Sequence, residues 1–323
     1  MMKFSHIVIV FITFFASAGM AVSQTSSGTQ EYGDGGAYEG EFLNGLPHGN
    51  GTYELPNGYR YVGEWFEGEI NGQGEALFPN GSVYIGSFVK GKPEGSGKIT
   101  FTDGGTYEGE WANGSITGEG YAKYANGTTY QGTFLDAMHD GKGIMKSPDG
   151  YIYDGTWENG VKQGKATVTY PDGSIYTGEV SQGLREGSGR LEMPEGLAYE
   201  GTWKAGEING EGKLSQKNGD VYVGTLVNGR REGLGKVTYA NGDIYEGNFA
   251  DDQRSGQGKF IGADGYKYEG SWQEGQIKGE GEVIYPDGSR YVGTFTNGLA
   301  DGLGEIIYPC LLYTSDAADE VLG

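Results

Sequence analysis

Tyr61-Val62-Gly63-Glu64-Trp65, then Gly68, then Gly72-Gln73-Gly74 and finally Pro79-Asn80-Gly81 are the residues whose order decides the fold. The same order returns every 23 residues, each time opened by a tyrosine, from Tyr38, Tyr61 and Tyr84 through to Tyr268 and Tyr291. With that tyrosine as position 0, glycine recurs at positions 2, 7, 11, 13 and 20, and an aromatic or aliphatic residue at position 4. A fixed period of this length means stacked copies of one supersecondary unit, each leaning on its neighbours, and argues against a compact enzyme fold. Glycine supplies 64 of the 323 residues, and 56 of them fall on the five template positions, so the enrichment belongs to structure and not to low complexity.

Positions 0 to 4 alternate between ring or glycine and polar residues, as a half-buried strand does. Positions 11 to 17 do the same, as in Gly279-Glu280-Gly281-Glu282-Val283-Ile284-Tyr285. The position-7 glycine connects the two strands, and Pro-Asp/Asn-Gly, as in Pro171-Asp172-Gly173, makes a tight turn into the next unit. Each unit is therefore predicted to be a β-hairpin in an antiparallel meander. The glycines at positions 2, 11 and 13 are expected to share a face with the aromatic residues at positions 0, 4 and 17. Their missing side chains would leave room for the rings to lie flat. A lone hairpin is marginal in water, so the units must support one another.

The run Tyr38-Glu39-Gly40-Glu41-Phe42, with Asn44-Gly45, His48-Gly49 and Gly51 following, resembles the MORN repeat (membrane occupation and recognition nexus). The resemblance covers Tyr38 to Pro309, with a half-unit before it at Tyr32 to Ala37. Departures are few: Ala137 and Asp252 at position 7, Ala166 at position 13, Val180 and Leu226 at position 4. The resemblance implies an all-β fold, an elongated, twisted, single-layer antiparallel sheet of about twelve stacked hairpins, solenoid-like. At two strands per unit and about 4.8 Å per strand, such an array would run to roughly 115 Å. The family serves mainly as scaffold and contact surface, and a lipid-binding role has been suggested for it.

All five tryptophans occupy position 4: Trp65, Trp111, Trp157, Trp203 and Trp272. Four of those units carry isoleucine at position 9 (Ile70, Ile116, Ile208, Ile277), with Lys162 in the fifth, so two hairpin subtypes exist and Trp and Ile should touch. One reading packs these residues as core. The other makes the pairs Tyr61 and Trp65, Tyr107 and Trp111, Tyr153 and Trp157, Tyr199 and Trp203, Tyr268 and Trp272 a stripe that binds a partner. The two readings are compatible: a one-layer sheet cannot fully cover its own apolar face, and an exposed stripe of that length calls for a partner, a second copy or strong curling.

The two ends read differently. Lys3 precedes an apolar stretch, Ile7 to Ala18, followed by small residues that offer cleavage after Ala18, Ala21 or Ser23. This is the pattern of a secretory signal peptide over residues 1–23 that sends the chain to the periplasm or outside the cell, or anchors it in the membrane if uncleaved. Residues 24–37 are read as linker and half-repeat cap. At the other end the template requires Asp or Asn at 310 and glycine at 311, where Cys310 and Leu311 stand. The run from Cys310 to Glu320 resembles a translated transposon-type sequencing adapter, so residues 310–323 are read as non-native. The net charge is −21. Leaving out Lys3, Asp316, Asp319 and Glu320 leaves 41 acids against 22 bases, a net of −19, which repels nucleic acid and anionic membranes.

No chemistry stands out. His48 and His139 fall in different units and are read as turn surface, and no metal-ligand or triad spacing appears. Glu39, Glu41, Glu64, Glu108 and Glu110 read as a solvated strand face and not as a glycosidase pair. The expectation is an exported, non-enzymatic scaffold without cofactor or metal that binds a protein partner or a second copy through the aromatic stripe. The alternatives are attachment to neutral lipid or surface glycan, and an accessory array of an enzyme whose catalytic part lies beyond residue 309.

Overall fold

The computed structural model describes residues 24–309. These divide into two compact units, one ending at Thr102 and the other beginning at Asp103. The first holds strands β1 (Thr25–Glu31) to β7 (Lys92–Thr100), the second β8 (Thr106–Ala112) to β25 (Leu299–Ile307), and no helix occurs among the described residues. Within each unit, strands adjacent in sequence pair antiparallel, as in β4 (Arg60–Phe66) with β5 (Glu69–Leu77). The chain is all-β, a succession of stacked hairpins as the period predicts. The predicted signal peptide and the Cys310 tail lie outside the described residues.

The second hairpin shows how the residues dictate the unit. Glu67 and Gly68 join β4 to β5, both with positive φ (50° and 88°). This mirror-image two-residue turn matches the right-handed twist of the strands and favours Asn-Gly. Five hairpins use that dipeptide, at Asn44, Asn113, Asn159, Asn228 and Asn297. Ala137 and Asp252 hold φ values of 62° and 68° where the template has glycine. The turn is also tied to the preceding hairpin: Gly68 N–H donates to the Pro47 carbonyl at 2.9 Å, and Gly160 N–H to His139 at 2.8 Å. The position-6 residue donates to a position-10 side chain, Asn159 to Asp140 at 3.1 Å and Asp251 to Glu232 at 2.9 Å. The return turn at Tyr170–Ser174 closes with Gly173 N–H on the Tyr170 carbonyl and Tyr170 N–H on Ser174, each 2.9 Å. Asp172 there accepts from the Ser174 N–H.

The register corrects one expectation. Gly63 pairs with Gly74 and Trp65 with Ile70, so β5 spends three residues where β4 spends one. Gly72 sits in this bulge at φ 117°, and a side chain there would strike Glu64 on the face opposite the rings, with Glu64 Cβ 2.7 Å away. The position-11 glycine is therefore a bulge residue, and only positions 2 and 13 make room for rings. Strand alternation does not carry through a left-handed residue. A second difference is β1, which pairs with β2 (Ala37–Leu43) from Thr25 to Glu31 in the stretch read as linker. Its sequence, Thr-Ser-Ser-Gly-Thr-Gln-Glu, carries no apolar period from which to infer a strand.

Each opening tyrosine lies flat on its own hairpin. A Cβ on Gly63 would come within 2.5 Å of the Tyr61 hydroxyl and of Gly74 Cα. That hydroxyl donates to the Glu64 carbonyl at 2.9 Å, beside the bulge. The same bond, position 0 hydroxyl to position 3 carbonyl, recurs in all twelve hairpins at 2.7–3.3 Å.

Candidate functional site

The rings share one face of the strands, and in the single chain the predicted stripe is its core. Trp65 and Trp111 are 7 % exposed, Trp157 and Trp272 5 %, Trp203 2 %, and Tyr61, Tyr107, Tyr153, Tyr199 and Tyr268 are 0–2 % exposed. They meet edge to face along the row: Tyr61 lies 5.9 Å from Trp65 and 5.0 Å from Phe88, and Tyr245 lies 5.1 Å from Trp272. Such contacts add about 0.5–1.5 kcal/mol per pair beyond area burial. Trp157, Trp203 and Trp272 donate their indole N–H to the carbonyls of Gly143, Gly189 and Gly258 at 3.1–3.3 Å, binding each hairpin to the one before. Trp and position 9 are direct cross-strand partners, as expected: Trp111 with Ile116, Trp203 with Ile208, Trp272 with Ile277, and Trp157 with Lys162.

Position 9 carries more than isoleucine. In the second unit it lays cations over the rings: Arg185 stands 4.1 Å from the Trp203 ring centre, Arg254 4.3 Å from Trp272, Arg231 5.1 Å from Phe249 and Lys162 5.0 Å from Tyr153. Arg231 also pairs with Asp252 at 3.2 Å, and Lys162 donates to the Tyr151 hydroxyl at 2.8 Å. Burial lowers the Lys162 pKa. These are amphipathic side chains covering aromatic surface.

His139 also occupies position 9, and the turn-surface reading fails for it. Its ring stacks on Tyr130 at 3.7 Å and 17°, meets Trp157 at 4.8 Å, and shares a 2.6 Å hydrogen bond with the Tyr124 hydroxyl. Burial brings its pKa down to about 4 from 6.5. Position 9 lies on the ring face, whereas position 10, where His48 stands, lies at the turn. His48 Nδ1 accepts from the Glu67 N–H at 3.4 Å, in keeping with a turn residue. Below the unfolded pKa the unfolded chain binds a proton that folded His139 refuses, so stability should fall as pH drops from 6.5 to 4. A loss on the order of 2 kcal/mol is expected over that window, allowing for the ring's partial solvent contact. Chemical denaturation of wild type and His139→Phe at pH 7 and pH 4.5 checks it: the variant should lose less over the same interval.

A second aromatic row was missed in the sequence. Positions 21 and 17 of successive hairpins meet at the return turns, in Tyr59 with Phe78 at 6.0 Å, Tyr151 with Tyr170 at 6.1 Å and Tyr266 with Tyr285 at 6.1 Å. All six are half-buried. Position 17 was visible as a recurrent ring, but position 21 varies between tyrosine, serine and others and carries no period. Two pockets open on the ring face at equivalent places. One is lined by Tyr53, Trp65 and Ile70, the other by Phe260, Trp272 and Ile277. On the opposite face Glu39, Glu41, Glu64, Glu108 and Glu110 are exposed, as expected. Among the described residues, no group of three His, Cys, Asp or Glu is placed to hold a metal ion.

The MORN repeat family model matches twelve segments, the first at residues 38–58 and the last at 291–309. The chain belongs to the MORN-repeat family. As a MORN array it is a repeat scaffold, and the repeat itself is generally a non-catalytic module. No curated protein matches the chain. Among solved structures it is similar to the SAS-4 TCP domain of Drosophila melanogaster, in complex with a proline-rich motif of Ana2, at 16 % identity and a TM-score of 0.32. That match covers 48 % of this chain and 84 % of the other. It is similar as well to the TCP10 domain of Danio rerio CPAP in complex with a STIL peptide, at 16 % identity and a TM-score of 0.30, over 87 % of this chain and 97 % of that one. Likenesses this loose carry no argument about partners.

Proposed function

We propose that this MORN array is an exported, non-enzymatic scaffold that docks a protein partner, or a second copy of itself, along its ring face. The observation that carries it is the half-exposed outer row. Tyr151, Tyr170, Tyr266 and Tyr285 stand at turns, where solvation would favour small polar residues, and beside them lie ring-stacked Arg185 and Arg254. Tyrosine, tryptophan and arginine are the residues enriched where proteins meet. Within each unit the buried stripe, Tyr61 and Trp65 in the first and Tyr107, Trp111 and their successors in the second, serves as the floor of that surface. Export rests on the sequence of residues 1–23 and is checked by fractionation and N-terminal sequencing of the mature chain.

A photo-crosslinking amino acid placed at Tyr170 or Tyr285, and as control at Lys236 on the opposite face, tests the docking. Illumination in the native exported fraction should give a discrete adduct from the ring-face sites only. Tyr151→Ser and Tyr266→Ser should abolish it. Equal adducts from Lys236, or none from either tyrosine site, would refute the groove.

A further inference from the structure

The two equivalent pockets differ in one respect that bears on ligand chemistry. In the second unit the chain supplies its own cation: Arg254 lines the pocket beside Phe260, Tyr266 and Trp272, 4.3 Å from the Trp272 ring centre. In the first unit the matching position in the preceding hairpin is Pro47, which carries no charge. The pocket there has a volume of 290 Å³ and is walled by Tyr32, Tyr53 and Trp65, with Ile70 also lining it. Tyr32 and Tyr53 meet edge to face at 5.7 Å, and Tyr53 and Trp65 at 6.0 Å, so the three rings form a connected wall. Among the described residues no cation stands over any of the three; those over rings are Lys162, Arg185, Arg231 and Arg254.

Charge at this site favours a cation. Glu69 lines the pocket, and Asp34 accepts a 3.4 Å hydrogen bond from the Tyr53 hydroxyl. Lys90 also lines the pocket and offsets Glu69, so with Asp34 these three groups stand at a net of one negative. The chain as a whole carries −21, which draws cations toward it. Three aromatic walls with acidic groups at the margin are what a quaternary ammonium requires: ring quadrupoles attract the diffuse charge, and no hydrogen-bond acceptor is needed.

We propose that the pocket formed by Tyr32, Tyr53 and Trp65 binds an alkylated ammonium group of the choline type. The pocket shares Trp65 and the ring face with the proposed docking surface, but its readout is separate: small-molecule binding does not require a protein partner. The full chain is titrated with choline and with 3,3-dimethylbutan-1-ol, in which carbon replaces the charged nitrogen, and heat or indole fluorescence is followed. Choline should bind about fivefold or more tightly than the carbon analogue, the ratio that removal of one such cation–ring contact implies. Tyr53→Leu and Glu69→Lys, both at the accessible margin, should each weaken choline about fivefold while circular dichroism and thermal midpoint confirm that they fold. Sedimentation with phosphatidylcholine vesicles identifies the source: co-sedimentation assigns the site to a lipid headgroup, and binding of free choline alone assigns it to a soluble ligand. Failure of choline to bind, equal binding of the carbon analogue, or unchanged affinity in both variants overturns the proposal.

Discussion

Tyr176→Ala is expected to destabilise the hairpin that Tyr176 opens by about 3–5 kcal/mol, the usual cost of emptying a fully buried aromatic site. Tyr176 is 0 % exposed, meets Trp203 of the next hairpin at 5.4 Å, and its hydroxyl donates to the Glu179 carbonyl at 2.7 Å. Burial pushes its pKa up to about 12, so it stays a donor at any ordinary pH. Tyr176→Phe keeps the ring and removes the bond, leaving a carbonyl at the bulge without its donor, and should cost about 1 kcal/mol. In a repeat array stability is a sum of unit and neighbour terms, so the alanine variant should open locally first. Hydrogen exchange should show lost protection in β14 (Ile175–Ser181) and in the strands flanking it, while hairpins near Tyr268 keep theirs. Uniform loss along the array would contradict this division.

Gly143→Val should cost about 3 kcal/mol or more, through overpacking and not through backbone strain. Gly143 does not hold a positive φ, yet a Cβ there would fall on the hydroxyl and ring of Tyr130, with Cε2 2.5 Å away. Ala166 shows how far the site can give: at the same position of its hairpin a methyl is accommodated, and Tyr153 still donates to Thr156 at 2.8 Å. A branched side chain exceeds that tolerance. The matched control is Gly233→Ala. There φ is 65° and nothing lies within 4 Å, so the cost should be only the left-handed penalty of about 1–2 kcal/mol. Urea denaturation midpoints of the two variants decide between a ring-clearance and a conformational role for the two glycine classes.

Those classes mark where the sequence was legible and where it was not. The 23-residue period, the hairpins and the pairing of Trp203 with Ile208 follow from composition at fixed positions, because strand alternation and turn chemistry are local. The bulge is not local. Gly187 and Gly189 look alike in Gly187-Ser188-Gly189, yet one takes φ 65° beneath Glu179 and the other clears Tyr176. Only the register of β15 (Leu184–Glu192) against its neighbour separates them. His139 stands at position 9, which the pairing of Trp with Ile already places against the rings; its polar residue type, and not the register, hid it.

The sequence by itself determined the family, the hairpin, its turns and which residues form the apolar row, since a strict period imposes one local structure on every unit. The tertiary structure decided what the row is: a core stripe 0–7 % exposed, covered at position 9 by Ile70, Lys162, Arg185 and Arg254, with accessibility moved to the outer tyrosines and the pocket at Trp65. Ile70 and Lys162 cover the tryptophan of their own hairpin, but the arginine cover arises between hairpins. The residues over Trp203 and Trp272 come from the hairpin before, about 18 residues back, and no pattern within one unit records that reach.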